Sequence, residues 1–196
     1  MTSHLPILIA GGGIGGLVAA LGLLRRGVDV EVYEQAPALR EVGAGVQVSA
    51  NGSRALALLG VGEAIAERSC EAAGKEIRLW STGQTWPLFD LCAESVARYG
   101  YPYFTVYRPD LLDVLVETVE REKPGCIHLG AKVAGFSQIG GRVMLRLTDD
   151  REVEGRALVG ADGIHSATRA ALFGPGTASF TGLIAWRGLI LMERLP

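Results

Sequence analysis

The sequence predicts an α/β fold, in which a parallel sheet flanked by helices is combined with an antiparallel β-meander. An apolar run joined to a glycine-rich turn and a helix occupies residues 7–27, and a second apolar run over residues 157–161 ends at an Asp-Gly pair. Between them, residues 132–156 alternate apolar and polar side chains. Continuous apolar runs are typical of parallel strands covered on both faces, whereas alternation is typical of antiparallel strands with one exposed face.

Composition and charge exclude several functional classes. The chain has 196 residues, a net charge of −2 and 48% hydrophobic residues, which suffices for one domain with a core or somewhat more. This charge gives no reason to expect nucleic acid or a membrane surface as a partner. No run reaches the roughly 18 unbroken apolar residues of a membrane span. Three cysteines without CxxC spacing argue against a disulfide framework or a metal site, and favour a cytoplasmic location.

The first elements form a βαβ unit. Residues 5–10 are predicted to form a buried strand, residues 14–26 a buried helix, and residues 29–33 a second strand. Two arginines near the carboxyl end of the helix interact favourably with its partial negative charge. Gly27 follows them, at the position where glycine commonly ends a helix. A strand, turn, helix and strand within about thirty residues is the order found in Rossmann-like units.

The glycine-rich turn carries the strongest functional signal. Gly11, Gly13 and Gly16 satisfy GxGxxG, in which the first glycine permits a tight turn and the second lets the backbone approach a pyrophosphate. The third glycine lets the helix pack closely on the strand. Glu34 follows the second strand, where its carboxylate can accept the hydroxyls of an adenosine ribose and would repel a 2′-phosphate. The unit predicts a dinucleotide, but the motif does not choose between NAD and FAD.

The next segment departs from a simple NAD-binding domain. Residues 37–60 are predicted to form a long glycine-punctuated loop that leads into a helix capped by Asn51 or Ser53 and ended by Gly60. Arg40 in this loop is either a solvated surface residue or a contact to a pyrophosphate or flavin. Residues 75–81 and 84–89 are predicted to form a hairpin, an excursion into a second, β-rich domain.

The α/β order resumes after the hairpin. Residues 103–107 are predicted to form a strand, and Pro109 suits the first turn of the helix that follows. Arg108 lies at this junction, either as a plain loop residue or as a phosphate contact. Residues 126–129 are predicted to form a further short strand.

Three antiparallel strands and an Asp-Gly turn complete the prediction. The strands span residues 132–138, 142–148 and 152–156, and the apolar run after them is predicted to be a buried strand. Asp162 at its end can accept a hydrogen bond from a sugar-alcohol hydroxyl, although an aspartate in a β-turn is common for structural reasons alone. Gly163 allows a close approach.

Together these motifs resemble the class A flavoprotein monooxygenases, the FAD-dependent aromatic hydroxylases. Asp162-Gly163, followed by Ser166 and Arg169, matches that family's DG motif over eight residues. Residues 43–51 resemble the flavin-side loop of the salicylate and 3-hydroxybenzoate hydroxylase branch, with Ala50 in place of a proline. Residues 180–190 resemble the strand that enters the substrate domain in that branch.

The resemblance implies a fold and a domain organisation. It implies a Rossmann-like FAD-binding domain of the glutathione-reductase type, formed by residues 1–74 and 104–174. Residues 75–103 and 175–196 would then belong to the beginning of a β-rich substrate domain. Family members are considerably longer, and their GD motif would follow Pro196, so we expect this chain to be an N-terminal half.

The resemblance also implies a set of site residues. Gln47, Trp186 and Arg187 are expected to contact the substrate, and the alternatives are core packing for Trp186 and a solvated surface charge for Arg187. No catalytic residue is assigned, because the groups that activate the phenol in this family would mostly follow Pro196. FAD contacts are expected from Gly11, Gly13, Ile14, Gly15, Gly16, Glu34, Gln35, Arg40, Ala44, Gly45, Val46, Arg108, Val133, Asp162 and Gly163.

The implied activity is hydroxylation of a phenolic aromatic, such as salicylate or a hydroxybenzoate, with O₂ and with NADH or NADPH as a transient reductant. The full-length form is expected to be a homodimer. Two alternatives stay open from the sequence. One is an FAD-dependent oxidoreductase that does not hydroxylate, and the other is a non-catalytic FAD-binding fragment.

Overall fold

The computed structural model describes residues 5–39, 45–176, 179–186 and 188–194, and the structural statements that follow concern these residues. Contacts divide the chain into two compact units, one formed by residues 1–40 and 115–196 and the other by residues 41–114. The strands are β1 (Ile7–Ala10), β2 (Val30–Tyr33), β3 (Gly45–Val48), β4 (Ser69–Glu71), β5 (Gly74–Arg78), β6 (Thr85–Asp90), β7 (Phe104–Tyr107), β8 (Ile127–His128), β9 (Val133–Ile139), β10 (Arg142–Leu147), β11 (Glu152–Gly155) and β12 (Ala157–Gly160). The helices are α1 (Ile14–Leu24), α2 (Ala50–Leu58), α3 (Gly62–Glu67), α4 (Ala93–Tyr99), α5 (Arg108–Glu122), α6 (Ala167–Phe173) and a 3₁₀ turn (Met192–Arg194).

A four-stranded parallel sheet organises the first unit. Its order is β12-β1-β2-β8, and β1 pairs in parallel with both of its neighbours. The apolar runs that predicted β1 and β2 are buried, and three of the four β1 residues have no exposed surface. Helix α1 follows β1 and ends at Leu24, two residues before the predicted end, in a turn closed by Gly27 at φ +71°. The predicted βαβ unit is confirmed.

The predicted β-meander is also confirmed. Strand β10 pairs antiparallel with β9 on one side and β11 on the other. Its turns fall at Gly140-Gly141 and at Asp150, all with positive φ. Alternate β10 side chains share a buried cluster with β1, and burial of each large aliphatic side chain contributes about 1.5–3 kcal/mol. That cluster contains Leu8, Ala10, Tyr33, Ala131, Val133, Leu145 and Leu147.

A charged cluster joins the end of α5 to β2 in the first unit. The Nζ of Lys123 donates to Asp29 Oδ1 at 2.6 Å, to Glu31 Oε1 at 2.6 Å and to the carbonyl of Val30 at 2.9 Å. Partial burial lowers the pKa of Lys123, but the hydrogen bonds to Asp29 and Glu31 raise it more, so the net pKa lies above its ordinary value. The other Glu31 oxygen lies 2.5 Å from His128 Nε2. Through the contact between Glu31 and His128, this cluster links β2 to β8 at the edge of the sheet.

Cys126, which has no exposed surface, makes the stability of the protein sensitive to alkali. Burial, and then the nearby Glu120 and Glu31, raise the pKa of its thiol from 9.0 to about 11. The unfolded chain therefore loses this proton first, and the free energy of unfolding should fall by about 2 kcal/mol as the pH rises from 9 to 11. Below pH 9 this contribution of Cys126 to the free energy of unfolding is fully present.

We expect Cys126→Ala to remove this part of the pH dependence, although it lowers the stability at pH 8 by creating a cavity. The measurement is urea unfolding at pH 8, 9, 10 and 11. Cys92→Ala is the matched control, because Cys92 is exposed, and it should keep the wild-type pH dependence. Parallel slopes for wild type and Cys126→Ala would contradict the assignment.

The second unit contains a three-stranded antiparallel sheet in the order β3-β7-β4, and the separate β5–β6 hairpin. The hairpin, β7 and the start of α5 at Arg108 are confirmed. Residues 37–60 were predicted to form a loop that leads into a helix. The helix is confirmed as α2, but the predicted loop is wrong at residues 45–48, which form β3 and pair with β7. This pairing depends on a partner more than fifty residues later in the chain, for which four residues carry no local signal.

Several other expectations need correction. Helix α2 begins after Ser49, which occupies the capping position expected for Asn51 or Ser53, and the Ser49 hydroxyl donates to the Asn51 side chain. Strand β12 is only partly buried because it lies at the edge of its sheet. The described parts of residues 180–190 contain no strand. Among the described residues, none of the helices combines the length and the apolar character that crossing a bilayer requires.

Candidate functional site

The candidate site lies in the first unit, at the carboxyl ends of β1, β2 and β12. The N–H of Gly11 donates to the carbonyl of Tyr33 at 2.8 Å, and the N–H of Ala161 donates to the carbonyl of Ala10 at 2.7 Å. These bonds bring together the glycine loop after β1, Glu34 after β2 and Asp162 after β12. The carboxyl edge of a parallel sheet is where ligands bind in open α/β folds.

Two glycines of the motif are required by the protein itself. Gly11 has φ +103°, and a Cβ there would lie 2.3 Å from the carbonyl oxygen of Ala161. A Cβ at Gly16 would lie 1.9 Å from the carbonyl oxygen of Gly11. These contacts agree with the roles expected from the sequence, a tight turn at Gly11 and close packing of the helix at Gly16.

Gly13 and Gly15 differ from those two, because a Cβ at either position would meet nothing within 4 Å. Their lack of a side chain is therefore not explained by packing within the protein. Helix α1 starts at Ile14, and the first bond of the helix runs from the N–H of Leu17 to the carbonyl of Gly13. The N–H groups of Ile14, Gly15 and Gly16 precede that bond, and the first turn contains no acidic residue. Such an end can bind a phosphate.

Glu34 is fixed against the glycine loop. Its Oε2 accepts a hydrogen bond from the N–H of Gly12 at 2.6 Å, and its Oε1 accepts one from the N–H of Ala36 at 2.8 Å. A Cβ at Gly12 would lie 2.9 Å from the Cβ of Glu34. Each carboxylate oxygen has a second lone pair, so the group can still accept hydroxyls from a ligand. Gly12 was missed by the sequence analysis, and the signal that could have found it is the run of three glycines.

The DG motif forms a loop closed by its own side chains. The Ser166 hydroxyl donates to Asp162 Oδ1 at 2.5 Å, and the N–H and hydroxyl of Thr168 donate to Asp162 Oδ2 at 3.0 and 3.1 Å. Ser166 also caps α6 by accepting from the N–H of Arg169, whose guanidinium donates to the carbonyl of Ile164. The eight-residue motif is thus a turn closed by its own hydrogen bonds, and the contribution of Thr168 was not predicted from the sequence.

This loop keeps a negative charge at the edge of the sheet. Burial disfavours the charged form of Asp162, but the hydrogen bonds from Ser166 and from the Thr168 N–H outweigh it. The pKa of Asp162 therefore lies below its ordinary value. Gly163 has φ +75°, which fits the predicted close turn. The contacts show how Asp162 shapes the loop, and its expected contact to FAD stays a prediction.

The remaining expected residues are distributed over both units. In the first unit, Gln35 is exposed beside Glu34, Val133 is buried at the start of β9, and Trp186 is 94% exposed. In the second unit, Gly45, Val46 and Gln47 lie on β3, and exposed Arg108 opens α5. The Tyr103 hydroxyl donates to Gln47 Oε1 at 2.8 Å, a partner that the sequence did not indicate. Arg40, Ala44 and Arg187 lie outside the described residues.

Comparisons with known proteins agree with this geometry. A family model described as "FAD binding domain" matches residues 4–189. The chain is 39% identical to a 3-amino-4-hydroxybenzoate 2-monooxygenase of Streptomyces platensis, over 100% of this chain and 49% of that protein. It is 36% identical to 3-hydroxybenzoate 6-hydroxylase 1 of Aquipseudomonas alcaligenes, over 98% of this chain and 49% of that protein. The chain thus spans about half the length of these relatives.

Solved structures show the same fold. HpxO of Klebsiella pneumoniae, in a variant complexed with FAD, superposes with a TM-score of 0.73 and 28% identity, covering 85% of this chain and 42% of that chain. The tetrameric form of 2-methyl-3-hydroxypyridine-5-carboxylic acid oxygenase gives a TM-score of 0.74 and 27% identity. The match covers 86% of this chain and 42% of that chain.

Proposed function

The chain belongs to the FAD-binding domain family, and on that premise we propose that its first unit binds the ADP half of FAD within a flavin-dependent aromatic hydroxylase. The observation that carries the proposal is the contact between the glycine loop and the Glu34 carboxylate. Open space at Gly13 leaves room for a pyrophosphate, and the Glu34 carboxylate lies against the same loop. The family match confirms the expected FAD-binding fold.

The residues of the loop would bind the cofactor by backbone groups and one charge. The N–H groups of Ile14, Gly15 and Gly16 donate to phosphate oxygens, and the positive end of the α1 dipole adds to this attraction. Glu34 accepts the ribose hydroxyls and disfavours a 2′-phosphate. Gln35, Arg40, Ala44, Gly45, Val46, Arg108, Val133, Asp162 and Gly163 are proposed as further FAD contacts.

FAD held by these residues would supply the redox chemistry between a nicotinamide reductant and O₂. The proposed task of this chain is to orient the cofactor and exclude water around it. Because Glu34 reads the ribose of FAD, it does not distinguish NADH from NADPH as the reductant.

We propose a phenolic aromatic acid as the substrate. The first relative is named for its action on an aminohydroxybenzoate and the second for its action on 3-hydroxybenzoate. Both names describe hydroxylases or monooxygenases, which favours hydroxylation over the alternative of a non-hydroxylating FAD oxidoreductase. Gln47, Trp186 and Arg187 are the proposed substrate contacts. A homodimer for the full-length form and a cytoplasmic location complete the proposal.

A side chain at Gly13 tests the cofactor site directly. We expect Gly13→Val to weaken FAD binding at least about tenfold, because the side chain would occupy the space proposed for the pyrophosphate. The fold should survive, since a Cβ there meets no protein atom within 4 Å. The measurement is quenching of FAD fluorescence on titration with protein, together with the thermal unfolding midpoint.

Gly176→Val is the matched control, because a Cβ at Gly176 also meets nothing within 4 Å and the residue lies outside the proposed site. It should bind FAD like the wild type. Unchanged FAD affinity in Gly13→Val, or no measurable FAD binding by the wild type, would refute the proposed cofactor site.

A further inference from the structure

A cavity of about 510 Å³ lies in the second unit, between α2, α3 and the segment that leads into β7. This volume is within the roughly 300–1,000 Å³ that small-molecule sites occupy. None of the described residues proposed to contact FAD or the aromatic acid lines the cavity, so the proposed cofactor site does not account for it.

The walls of this cavity are held by contacts within the second unit. Gly60, at φ +67°, closes the turn after α2, and its N–H donates to the carbonyl of Ala57 at 2.8 Å. A Cβ at Gly62 would lie 3.0 Å from the Cα of Ala57, so α3 begins in close contact with α2. On the other side, the N–H of Ala72 donates to the carbonyl of Tyr103 at 2.9 Å and anchors the segment before β7. The cavity is therefore formed by the folded chain itself.

The lining of the cavity is mainly apolar and includes a few polar groups. Alanine, proline and phenylalanine side chains supply the apolar part, among them the buried Phe104 of β7. The polar side chains are those of Ser53, Glu63 and Tyr101. Apolar walls with a small number of polar groups are typical of sites in which those groups orient an apolar ligand. Since the Glu63 carboxylate would repel an anion, the lining favours an uncharged ligand.

The Ser53 hydroxyl is the observation that points to a ligand. Ser53 is only 4% exposed, and its Oγ has no hydrogen-bond partner among the described residues. A serine within a helix commonly donates to the carbonyl four residues earlier, here that of Ser49, and this hydroxyl does not. A buried hydroxyl without a partner is unfavourable, and such groups are rare in proteins. Ser53 lines the cavity, and rotation about its Cα–Cβ bond would direct the hydroxyl to a ligand there.

We propose that this cavity is a second small-molecule site, which binds an uncharged aromatic alcohol about the size of two fused rings. The rings contact Pro102 and Phe104, and the ligand hydroxyl forms a hydrogen bond with Ser53. Glu63 makes the site unfavourable for an aromatic acid, so its ligand differs in charge from the substrate proposed above. Ala57 and Ala66 line the cavity and are exposed, which leaves it accessible from solvent.

Three probes with the same ring system test the proposal on this chain at pH 7: 2-naphthol, naphthalene and 2-naphthoate. We expect 2-naphthol to bind about fivefold more tightly than naphthalene, the scale of one neutral hydrogen bond, and 2-naphthoate to bind least tightly. The measurement is the change in probe fluorescence on titration with protein. Ser53→Ala should bind 2-naphthol only as tightly as naphthalene. Its thermal unfolding midpoint should not fall, because the substitution removes a buried hydroxyl that lacks a partner.

A pair of phenylalanine variants locates the bound probe. Ala66→Phe should weaken 2-naphthol binding at least tenfold, because the new side chain would fill the cavity, and the exposed position on α3 should leave the fold intact. Ala55→Phe is the matched control, because Ala55 is exposed on α2 but does not line the cavity. It should bind 2-naphthol like the wild type.

Four results would overturn the proposal: 2-naphthol does not bind, 2-naphthoate binds as tightly as 2-naphthol, Ser53→Ala keeps the wild-type affinity for 2-naphthol, or the two phenylalanine variants bind it equally. FAD titration of the same variants is independent of these results, because Ser53 and Ala66 are not among the proposed FAD contacts. A failure of this site and a failure of the cofactor site can therefore be told apart.

Discussion

Replacing Gly16 with alanine is expected to lower the free energy of unfolding by at least about 3 kcal/mol, because overpacking a site that cannot relax is among the most destabilising changes. The new Cβ would lie 1.9 Å from the carbonyl oxygen of Gly11, which is backbone and cannot rotate away. Relief requires α1 to move off β1, and that movement would expose Leu17 and Leu21, which have no exposed surface. Chemical denaturation without FAD measures the effect.

Gly15→Ala is the control in the same helix. A Cβ at Gly15 meets nothing within 4 Å, and alanine in a helix is favoured over glycine by about 0.5–1 kcal/mol. We therefore expect this variant to be as stable as the wild type or slightly more so. Equal stabilities for the two alanine variants would mean that α1 does not pack on the glycine loop as described.

Replacing Glu34 with alanine is expected to weaken FAD binding about a hundredfold, the scale of losing hydrogen bonds to a charged acceptor. The change removes the proposed ribose acceptor and also leaves the N–H groups of Gly12 and Ala36 without their partner. The glycine loop would then lose its fixed position. FAD titration below the unfolding midpoint of the variant separates lost affinity from lost folding.

Glu34→Gln separates the charge from the geometry. We expect it to bind FAD with intermediate affinity, and to tolerate a 2′-phosphate that the wild type rejects, as measured by competition of FAD with ADP-ribose and its 2′-phosphorylated form. Glu152→Ala on the exposed end of β11 controls for the loss of one surface carboxylate and should change neither result. If Glu34→Ala binds FAD as tightly as the wild type, Glu34 does not read the ribose.

The sequence predicted those features of the fold and of the site that depend on interactions between neighbouring residues. The glycine spacing predicted the turn at Gly11 and the contact at Gly16, because both depend on a few neighbouring residues. The alternation of β10 predicted its buried face, since side chains of a strand point to opposite sides in turn. Glu34 was found in the same way, by its distance from the motif in a βαβ unit.

Non-local causes explain what was missed. Strand β3 exists because residues 45–48 pair with β7, and the Tyr103–Gln47 hydrogen bond joins residues 56 positions apart. Asp162 was recognised as part of a motif, but its bonds to Ser166 and Thr168 require the loop to fold back on itself. The apolar sequence of β12 predicted a buried strand, and its pairing with β1 alone among the described strands follows only from the order of the strands in the sheet.

The sequence by itself determined the βαβ unit, the meander and the family, because periodicity, glycine spacing and the DG motif are properties of short segments. Only the tertiary structure decided which glycines the protein needs for its own packing and which leave space for a ligand. It also decided that Glu34 is fixed by Gly12 and that β12 lies at an edge. The physical reason is that contacts between segments distant in sequence depend on how those segments pack together.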